Sequence, residues 1–170
     1  MPKPIVLFVR GVDSVNRLVG RFAMAIFFVM AAIMLYSTVS RAVFGVPVNW
    51  ALEMTQFLLS AYYLLGGAYS LQHNSHVRMD LFYARLPQQG RAVLDAFTIL
   101  FVIFFLGVLL WGAISSTQYS IQYNQRNYSA WSPVLWPVKL AMTVGIFLML
   151  LQLIAQFFRD LAAARGRPLP

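Results

Sequence analysis

Both histidines of the chain lie in one short polar stretch, where their spacing could serve metal binding or catalysis. The stretch reads QHNSHVRMDLF; His73 and His76 are three positions apart, and Asp80 follows four positions later. If a helix ran through the stretch, this spacing would place all three side chains on one face. Imidazole and carboxylate groups can bind zinc there, but a site also needs a further ligand or open water positions. The spacing alone therefore leaves both a metal site and a structural role open.

The residues around the histidines favour the structural role. Between them, the pair Asn-Ser is typical of a turn or a helix cap, and the amphipathic run DLFYARLP that follows ends in proline. At such a corner, histidine and aspartate side chains cap, pair or form hydrogen bonds more often than they bind a metal. We therefore expect His76, Arg78 and Asp80 to hold a corner of the fold, and we expect no metal ion or other cofactor.

Two apolar runs carry polar residues that would cost energy in a bilayer. Glu53 lies near the start of one run, so its charge must be paired, hydrated or protonated. Small and polar residues recur at helical steps after Glu53, and a comparable set lies in the last apolar run. The first set is Gln56, Ser60, Gly67 and Ser70, and the second is Gly145, Met149, Gln152, Gln156 and Arg159.

Such stripes are typical of faces on which membrane helices approach closely and form hydrogen bonds. A proton or ion pathway is the alternative, but it usually needs several ionisable groups or broken helices near mid-membrane, and only Gln152 approaches that depth. We therefore interpret one set of residues as sites of helix packing or of a subunit interface. The set is Glu53, Gln56, Ser60, Gly67, Gly145, Gln152 and Gln156.

Transmembrane helices are the elements that must position these residues. The 170 residues are 60% hydrophobic and 15% aromatic, with a mean hydropathy of +0.69, which is too apolar for a soluble domain of this length. Four runs approach or exceed the roughly 20 residues that a helix needs to cross a bilayer. The sequence predicts a single all-α membrane domain over 1–170 with four transmembrane helices at 22–39, 50–71, 92–111 and 136–158.

The segment before the first apolar run has its own helical pattern. Over 4–21, apolar residues recur at helical spacing, while Arg10, Asp13, Arg17 and Arg21 fall on the opposing side. We predict an amphipathic interfacial helix on the inner leaflet, with its arginines toward lipid phosphates and a bend into the first span. A frayed cytoplasmic tail is the alternative.

Basic residues set the expected orientation. Of the 13 Lys and Arg residues, ten fall in the N-terminal segment, the second connector and the C-terminal tail, whereas Arg41, Arg126 and Lys139 fall on the other side. The positive-inside rule then places both termini and the histidine corner in the cytoplasm. The net charge of +8 reflects these flanking residues and not nucleic-acid binding, since no basic cluster lies beside stacking aromatic residues.

Other residue types narrow the function further. The chain has no cysteine, which excludes disulfides, thiolate metal sites and thiol redox chemistry. All four tryptophans are expected near the outer interface, where indole rings anchor membrane proteins. They are Trp50, Trp111, Trp131 and Trp136.

Two patterns resemble the small membrane subunit of tripartite ATP-independent periplasmic (TRAP) transporters. The first joins Trp50, Glu53 and Gln56 to the run LLGGAYSLQHNSHVRMDLFYARLP, with its His-x3-Asp corner and Leu-Pro. The second is the W-P-x-K and G-x6-Q pattern in SAWSPVLWPVKLAMTVGIFLMLLQ. The resemblance extends over nearly the whole chain. Family members often carry a second acidic residue beside the glutamate and an arginine after it, whereas here Leu52 precedes Glu53 and Gln56 takes the later place.

The resemblance implies a non-catalytic subunit of the bacterial or archaeal cytoplasmic membrane. Such a subunit braces a large, sodium-coupled elevator subunit that takes up an organic acid delivered by a periplasmic binding protein. The implied partners are therefore the large membrane subunit, the binding protein and membrane lipids, without nucleic acid or cofactors.

The outer connector expected at 115–132 is the longest segment on the outer side. We expect it to form part of the docking surface for the binding protein, because it is rich in aromatic, amide and arginine side chains. Its candidate contacts are Tyr119, Tyr123, Arg126 and Tyr128. The alternative is that these tyrosines only anchor helix ends at headgroup depth.

Two other functions stay open at this point. A haem- or quinone-anchoring subunit of a respiratory enzyme would also be small and helical, but axial haem ligation needs imidazoles inside the bundle, and both histidines lie in one connector. A self-sufficient small transporter would need the repeats, broken helices or mid-membrane ion sites that carriers use, and the sequence shows none of these patterns.

Overall fold

The structure is a computed structural model that describes the backbone of residues 3–72 and 88–164 and the side chains of residues 5–72 and 98–159. Four helices account for most of these residues: α1 (Lys3–Phe44), α2 (Asn49–Gln72), α3 (Gln88–Gln122) and α4 (Trp136–Ala164). Within the described ranges there is no strand, and extended pairing is limited to one isolated bridge between Arg126 and Val134. The prediction of an all-α chain with four long helices is confirmed.

Three of the described helices are both long and apolar enough to cross a membrane. The qualifying stretches are Ile5–Phe44, Thr98–Gln122 and Trp136–Arg159. With 24 residues α2 is also long enough, but polar side chains such as Glu53 and Gln56 make it less apolar. Helix α2 packs against both α1 and α4, so it runs alongside these two neighbours.

The four helices form a wall in the order α1, α2, α4, α3, with an additional contact between α1 and α4. The connectors 45–48 and 123–135 lie at one end of this wall, the loop end, and the first residues of α1 and the last residues of α4 lie at the opposite end, the terminal end. Most of the wall is exposed: only 11% of the most apolar window of α1 and 6% of that of α3 is buried. The chain therefore leaves large apolar surfaces for lipid or other proteins.

Small residues bring the central helices together. Ala23 of α1 and Ala61 and Ala68 of α2 are buried in one cluster that also includes a leucine from α4. Helices α2 and α4 approach closely, and a Cβ placed on Gly145 would lie 2.8 Å from the carbonyl carbon of Leu64. A side chain at position 145 would push the two helices apart, so the contact requires glycine.

The amphipathic N-terminal segment continues into the first span without a break in the helix. Helix α1 has 42 residues, which corresponds to about 63 Å, roughly twice the thickness of the hydrocarbon core. The expected bend after residue 21 is not a helix boundary. Moreover, Val9 and Val12 on the apolar face are buried against Ala155 of α4. Part of this face therefore contacts a helix of the same chain.

Helix α3 extends beyond the boundary expected from the sequence. It continues to Gln122, so the part of the expected outer connector from 115 to 122 is helical, and the connector itself is 123–135. Hydroxyl groups are accommodated in this extension: Thr117 donates to the carbonyl of Ala113 at 2.8 Å, and its Oγ1 lies 2.9 Å from Oγ1 of Thr143 on α4. Polar residues therefore do not end the helix.

The longer α3 also moves Trp111 away from its expected position. Measured along the helix axis, Trp111 lies about 16 Å from Gln122, so it is far from the loop end, and its side chain is 77% exposed. The structure therefore separates Trp111 from the other three tryptophans. By contrast, Trp50, Trp131 and Trp136 lie at or next to the loop end, at the start of α2, in the 123–135 connector and at the start of α4.

Candidate functional site

A buried polar cluster joins α1 to α4 near the terminal end. Asn16 and Gln152 are each 0% exposed, and Nδ2 of Asn16 donates to Oε1 of Gln152 at 2.5 Å. In turn, Nε2 of Gln152 donates to Oδ1 of Asp13 at 3.1 Å. The guanidinium of Arg159 donates to the other carboxylate oxygen of Asp13 and forms an ion pair with it. We call these four residues the Asp13 cluster.

Helical spacing on both partners positions the cluster. On α1, Val12 and Asn16 are four residues apart and share the face that meets α4. On α4, Ala155 is buried between the levels of Gln152 and Arg159. The apolar contact of Val12 with Ala155 lies beside the hydrogen bonds and limits the access of water to them. The apolar packing of α1 against α4 therefore fixes the two helices that carry the polar groups.

The arrangement compensates the charges that it buries. The side chains of Arg159 and Asp13 are 22% and 14% exposed, and a mostly buried charge without a partner would be strongly destabilising. One buried acceptor, Oδ1 of Asn16, has no hydrogen-bond partner among the described residues. Two amides and one ion pair can fix the register of two helices. They do not provide the nucleophile and adjacent base that covalent catalysis requires.

Between the two ends of the wall, the described helices carry no Asp, Glu, Lys, Arg or His. Residues 22–40 of α1, 54–72 of α2, 98–122 of α3 and 140–158 of α4 all lack these residue types. The described residues also contain no group of three or more His, Cys, Asp or Glu that could hold a metal ion. A relay for protons or cations through the membrane would need such groups at mid-depth.

At the loop end, Glu53 contacts the connector between α3 and α4. Its Oε2 accepts a hydrogen bond from Nδ2 of Asn127 at 3.4 Å. Asn127 is itself held, because its backbone N–H donates to the carbonyl of Pro133 at 3.0 Å and its carbonyl accepts from the hydroxyl of Ser132 at 3.1 Å. The connector is thus folded onto the start of α2, and Glu53 is one of its supports.

Backbone and side-chain hydrogen bonds give this connector a defined shape. Gln125 contributes three of them: its N–H donates to Ser120 O at 3.0 Å, its carbonyl accepts from Leu135 N at 3.0 Å, and its Oε1 accepts from Nζ of Lys139 at 2.8 Å. Asn124 has a positive φ of 45°, which asparagine tolerates better than most residues. The loop is therefore a preformed surface.

The four candidate docking residues meet on this surface. Tyr119, in the last turn of α3, packs against Tyr123 in a tilted arrangement with ring centroids 4.6 Å apart. Both tyrosines line a pocket of about 390 Å³ together with Arg126 and Tyr128, and the Tyr128 side chain is fully exposed. The structure brings these four residues together, although Tyr119 lies on a helix and not in a loop.

The polar stripes expected on α2 and α4 are divided among several contacts. A Cβ on Gly67 would lie 3.0 Å from Sδ of Met149, so this glycine faces α4. The hydroxyl of Ser60 donates to the carbonyl of Gln56 in its own helix at 2.9 Å, and the Gln56 side chain is exposed. On α4, Gln156 is half-buried one turn after Gln152.

Sequence reasoning missed half of the Asp13 cluster. Asp13 was expected on the lipid-headgroup side of α1, but it faces α4, and Asn16 was not singled out. The available signal was position: Asn16 follows Val12 by four residues and so continues the apolar face of the segment. The expected corner at His76, Arg78 and Asp80 lies outside the described residues.

Comparison with known proteins gives one match to a family. Residues 30–163 match the model of the family described as "Tripartite ATP-independent periplasmic transporters, DctQ component". No curated protein matches the chain. The matched residues begin within α1 and include the rest of the wall, so they exclude Asp13 and Asn16 but include Gln152 and Arg159.

Proposed function

The chain belongs to the DctQ component family of tripartite ATP-independent periplasmic transporters, and we propose that it serves as a scaffold subunit that carries no substrate itself. In this proposal it braces a large membrane subunit that moves an organic acid together with sodium by an elevator motion. A periplasmic binding protein delivers the acid, and both termini of this chain face the cytoplasm. The family match does not support the haem- or quinone-anchor alternative.

The observation that carries the proposal is the composition of the middle of the wall. Within the described helices, the ionisable side chains Asp, Glu, Lys, Arg and His are confined to the two ends. A carrier that couples uptake to an ion needs a binding site for that ion and for a charged substrate at mid-depth. In the proposed function, a second polypeptide supplies these sites.

The packing of the wall supports a role that requires rigidity. Helices α2 and α4 meet so closely at Gly145 and Leu64 that there is no room for a Cβ. The Asp13 cluster fixes α1 to α4 at the terminal end with directional hydrogen bonds. An element held by close contacts at several depths is suited to stay in place while a partner moves.

The loop end supports the proposed contact with the binding protein. Its connector is preformed by hydrogen bonds, and it exposes the aromatic and arginine side chains that are enriched in protein interfaces. Three of them, Tyr123, Arg126 and Tyr128, belong to the connector itself. A preformed surface loses little conformational entropy on binding, which suits a partner that must associate and dissociate in each cycle.

Reconstitution tests the proposed function. Vesicles that contain the large subunit together with this chain should take up the organic acid when the binding protein and a sodium gradient are present. Vesicles that contain this chain alone should show no uptake. Sodium-driven uptake by the chain alone would contradict the scaffold role and favour the self-sufficient transporter. If the tagged chain failed to co-purify with a large membrane subunit, the proposal would also be wrong.

A further inference from the structure

A groove between α3 and α4 is open at the side of the wall and has a lysine at one end. Its volume is about 470 Å³. On α3 its lining extends from Phe105 to Thr117, a length of about 18 Å along the helix axis. On α4 the lining extends from Ile146 to Lys139, at the loop end of the wall. We call this feature the α3–α4 groove.

Lys139 places a positive charge at the loop end of the groove. It is the fourth residue of α4, about 5 Å along the axis from Trp136, and the Trp136 side chain is 41% exposed, as is typical of the membrane interface. Nζ of Lys139 donates to Oε1 of Gln125 at 2.8 Å. An ammonium group has three N–H donors, so Nζ can also donate to an oxygen of a bound molecule.

The carboxylates whose side chains are described do not neutralise this charge. Within 5–72 and 98–159 the only acidic residues are Asp13 and Glu53. Asp13 forms its ion pair with Arg159 at the opposite end of the wall, and Glu53 accepts a hydrogen bond from Asn127. Because the side chain of Lys139 is half-buried, a counter-charge would stabilise it. The groove therefore favours an anionic group beside Lys139.

The rest of the groove is suited to a hydrocarbon chain. Leu109, Met142 and Ile146 give it apolar sides. Gly112 leaves room between them, since a Cβ at this position would meet nothing within 4 Å. Phe105 and Val108 at the rim are 57% and 55% exposed, so a chain can enter from the side. An apolar groove with a cation at interface depth matches the two parts of an anionic phospholipid.

Other exposed faces of the wall lack this combination. Phe28 and Leu35 of α1 and Phe101 and Phe104 of α3 are between 62% and 72% exposed. The helix segments that carry them, 22–40 and 98–122, contain no Asp, Glu, Lys, Arg or His. The hydrocarbon of any lipid can cover such faces, whereas the charge of Lys139 selects the headgroup as well.

We propose that the α3–α4 groove binds one anionic phospholipid from the leaflet at the loop end. A phosphate oxygen accepts a hydrogen bond from Nζ of Lys139, and an acyl chain lies over Gly112. Basic pockets between transmembrane helices bind anionic headgroups through the same chemistry. All of these residues belong to this chain, so the inference does not depend on the proposed scaffold function.

Native mass spectrometry of the purified full-length chain tests the role of the charge. The probes are phosphatidylglycerol and a diacylglycerol with the same acyl chains but no phosphate. Lys139→Gln keeps an N–H donor for Gln125 but loses the charge, so it should weaken phosphatidylglycerol binding about tenfold, whereas Lys139→Arg should retain most of it. Arg41→Gln removes the same charge from an exposed position on α1 and should leave binding unchanged.

The predicted result for the unsubstituted chain is one phosphatidylglycerol molecule that binds more tightly than the diacylglycerol. Equal binding of the two probes would overturn the inference, because ordinary coverage by lipid does not need the phosphate. Equal binding of phosphatidylglycerol by Lys139→Gln and Arg41→Gln would overturn it as well.

A pair of glycine variants tests the position of the acyl chain. A Cβ added to Gly112 or to Gly107 would have no atom within 4 Å, but only Gly112 lines the groove. Gly112→Leu should therefore weaken phosphatidylglycerol binding several-fold, and Gly107→Leu should not. Equal affinities of the two variants would overturn the proposed site. Thermal unfolding without added lipid shows whether both variants fold; if Gly112→Leu did not, the Lys139 variants would decide.

Discussion

At the scale of single residues, the ion pair between Asp13 and Arg159 gives the sharpest prediction for stability. Arg159→Met keeps most of the side-chain volume but leaves the mostly buried carboxylate of Asp13 without a counter-charge. We expect a loss of about 3 kcal/mol in the free energy of unfolding, measured by thermal or denaturant unfolding of the purified chain in detergent. Arg17→Met, at an exposed position on α1, is the control and should change stability by no more than about 0.5 kcal/mol.

A double variant isolates the interaction energy of the Asp13–Arg159 pair from the effects of the surrounding residues. Asp13→Asn with Arg159→Met removes both charges, so it should lose less stability than the sum of the two single variants. Strict additivity would show that the two side chains act independently.

Glu53 should support assembly through its shape and hydrogen bonding and not through its charge. Glu53→Gln can still accept a hydrogen bond from Asn127, so we expect it to retain most transport activity. Glu53→Leu cannot, and it should lower the yield of assembled complex, measured by co-purification with the large subunit. Normal assembly of both variants with loss of uptake in both would point to transport chemistry at this residue.

The residues of the Asp13 cluster show what sequence could reveal at this scale. Gln152 was identifiable because an amide in the middle of an apolar run needs a partner. Asp13 was not, since it lies among arginines in a segment that resembles a surface helix. Periodicity defines the apolar face of such a segment, but it does not tell whether lipid or another helix covers that face.

At the scale of elements, Gly145 determines how closely α2 and α4 can approach. In Gly145→Ala the added Cβ would lie 2.8 Å from backbone and Cβ atoms of Leu64, so the helices must separate. We expect a loss of about 1–3 kcal/mol in the free energy of unfolding. Gly107→Ala in α3, where nothing lies within 4 Å of the new Cβ, should be neutral or stabilise by up to about 1 kcal/mol. Equal effects of the two substitutions would argue against a close α2–α4 contact.

For the connector from 123 to 135, the testable residue is Arg126. Its side chain is exposed, so a charge reversal should leave the fold intact and alter the encounter with the binding protein. Arg126→Glu should raise the binding-protein concentration needed for half-maximal uptake in reconstituted vesicles, whereas Arg126→Lys should stay close to wild type. If this concentration did not change in Arg126→Glu, Tyr123→Ala or Tyr128→Ala, the loop would serve only as a membrane anchor.

The helix boundaries were harder to predict than the helices. The end of α3 was expected at 111 because serine, threonine and glutamine follow, yet Thr117 satisfies its hydroxyl within α3 and against Thr143 of α4. Such hydrogen bonds depend on the neighbouring helix and cannot be seen in a local sequence pattern. The connector between α1 and α2 was easier to locate, because Gly45, with a φ of 67°, and the following Pro47 mark the end of a helix.

At the scale of the whole molecule, the wall explains why this chain suits a scaffold. Its polar interactions lie between its own helices and at its two ends, and its largest exposed faces are apolar. Composition alone predicted the membrane location and the helical class. The order of the helices was not predictable, because it depends on which residues meet across the helices, such as Gly145 with Leu64.

The central claim is that this chain stays rigid while its partner moves. The absence of cysteine allows two spin labels to be placed without background, at Val43 near the end of α1 and at Ile121 near the end of α3, where the side chains are 68% and 55% exposed. The measurement is the label-to-label distance distribution, by pulsed electron paramagnetic resonance, in the reconstituted transporter with and without sodium and substrate-loaded binding protein. The account predicts one distribution that is the same in both conditions. A shift of the distribution, or a second distance that appears only during transport, would contradict it.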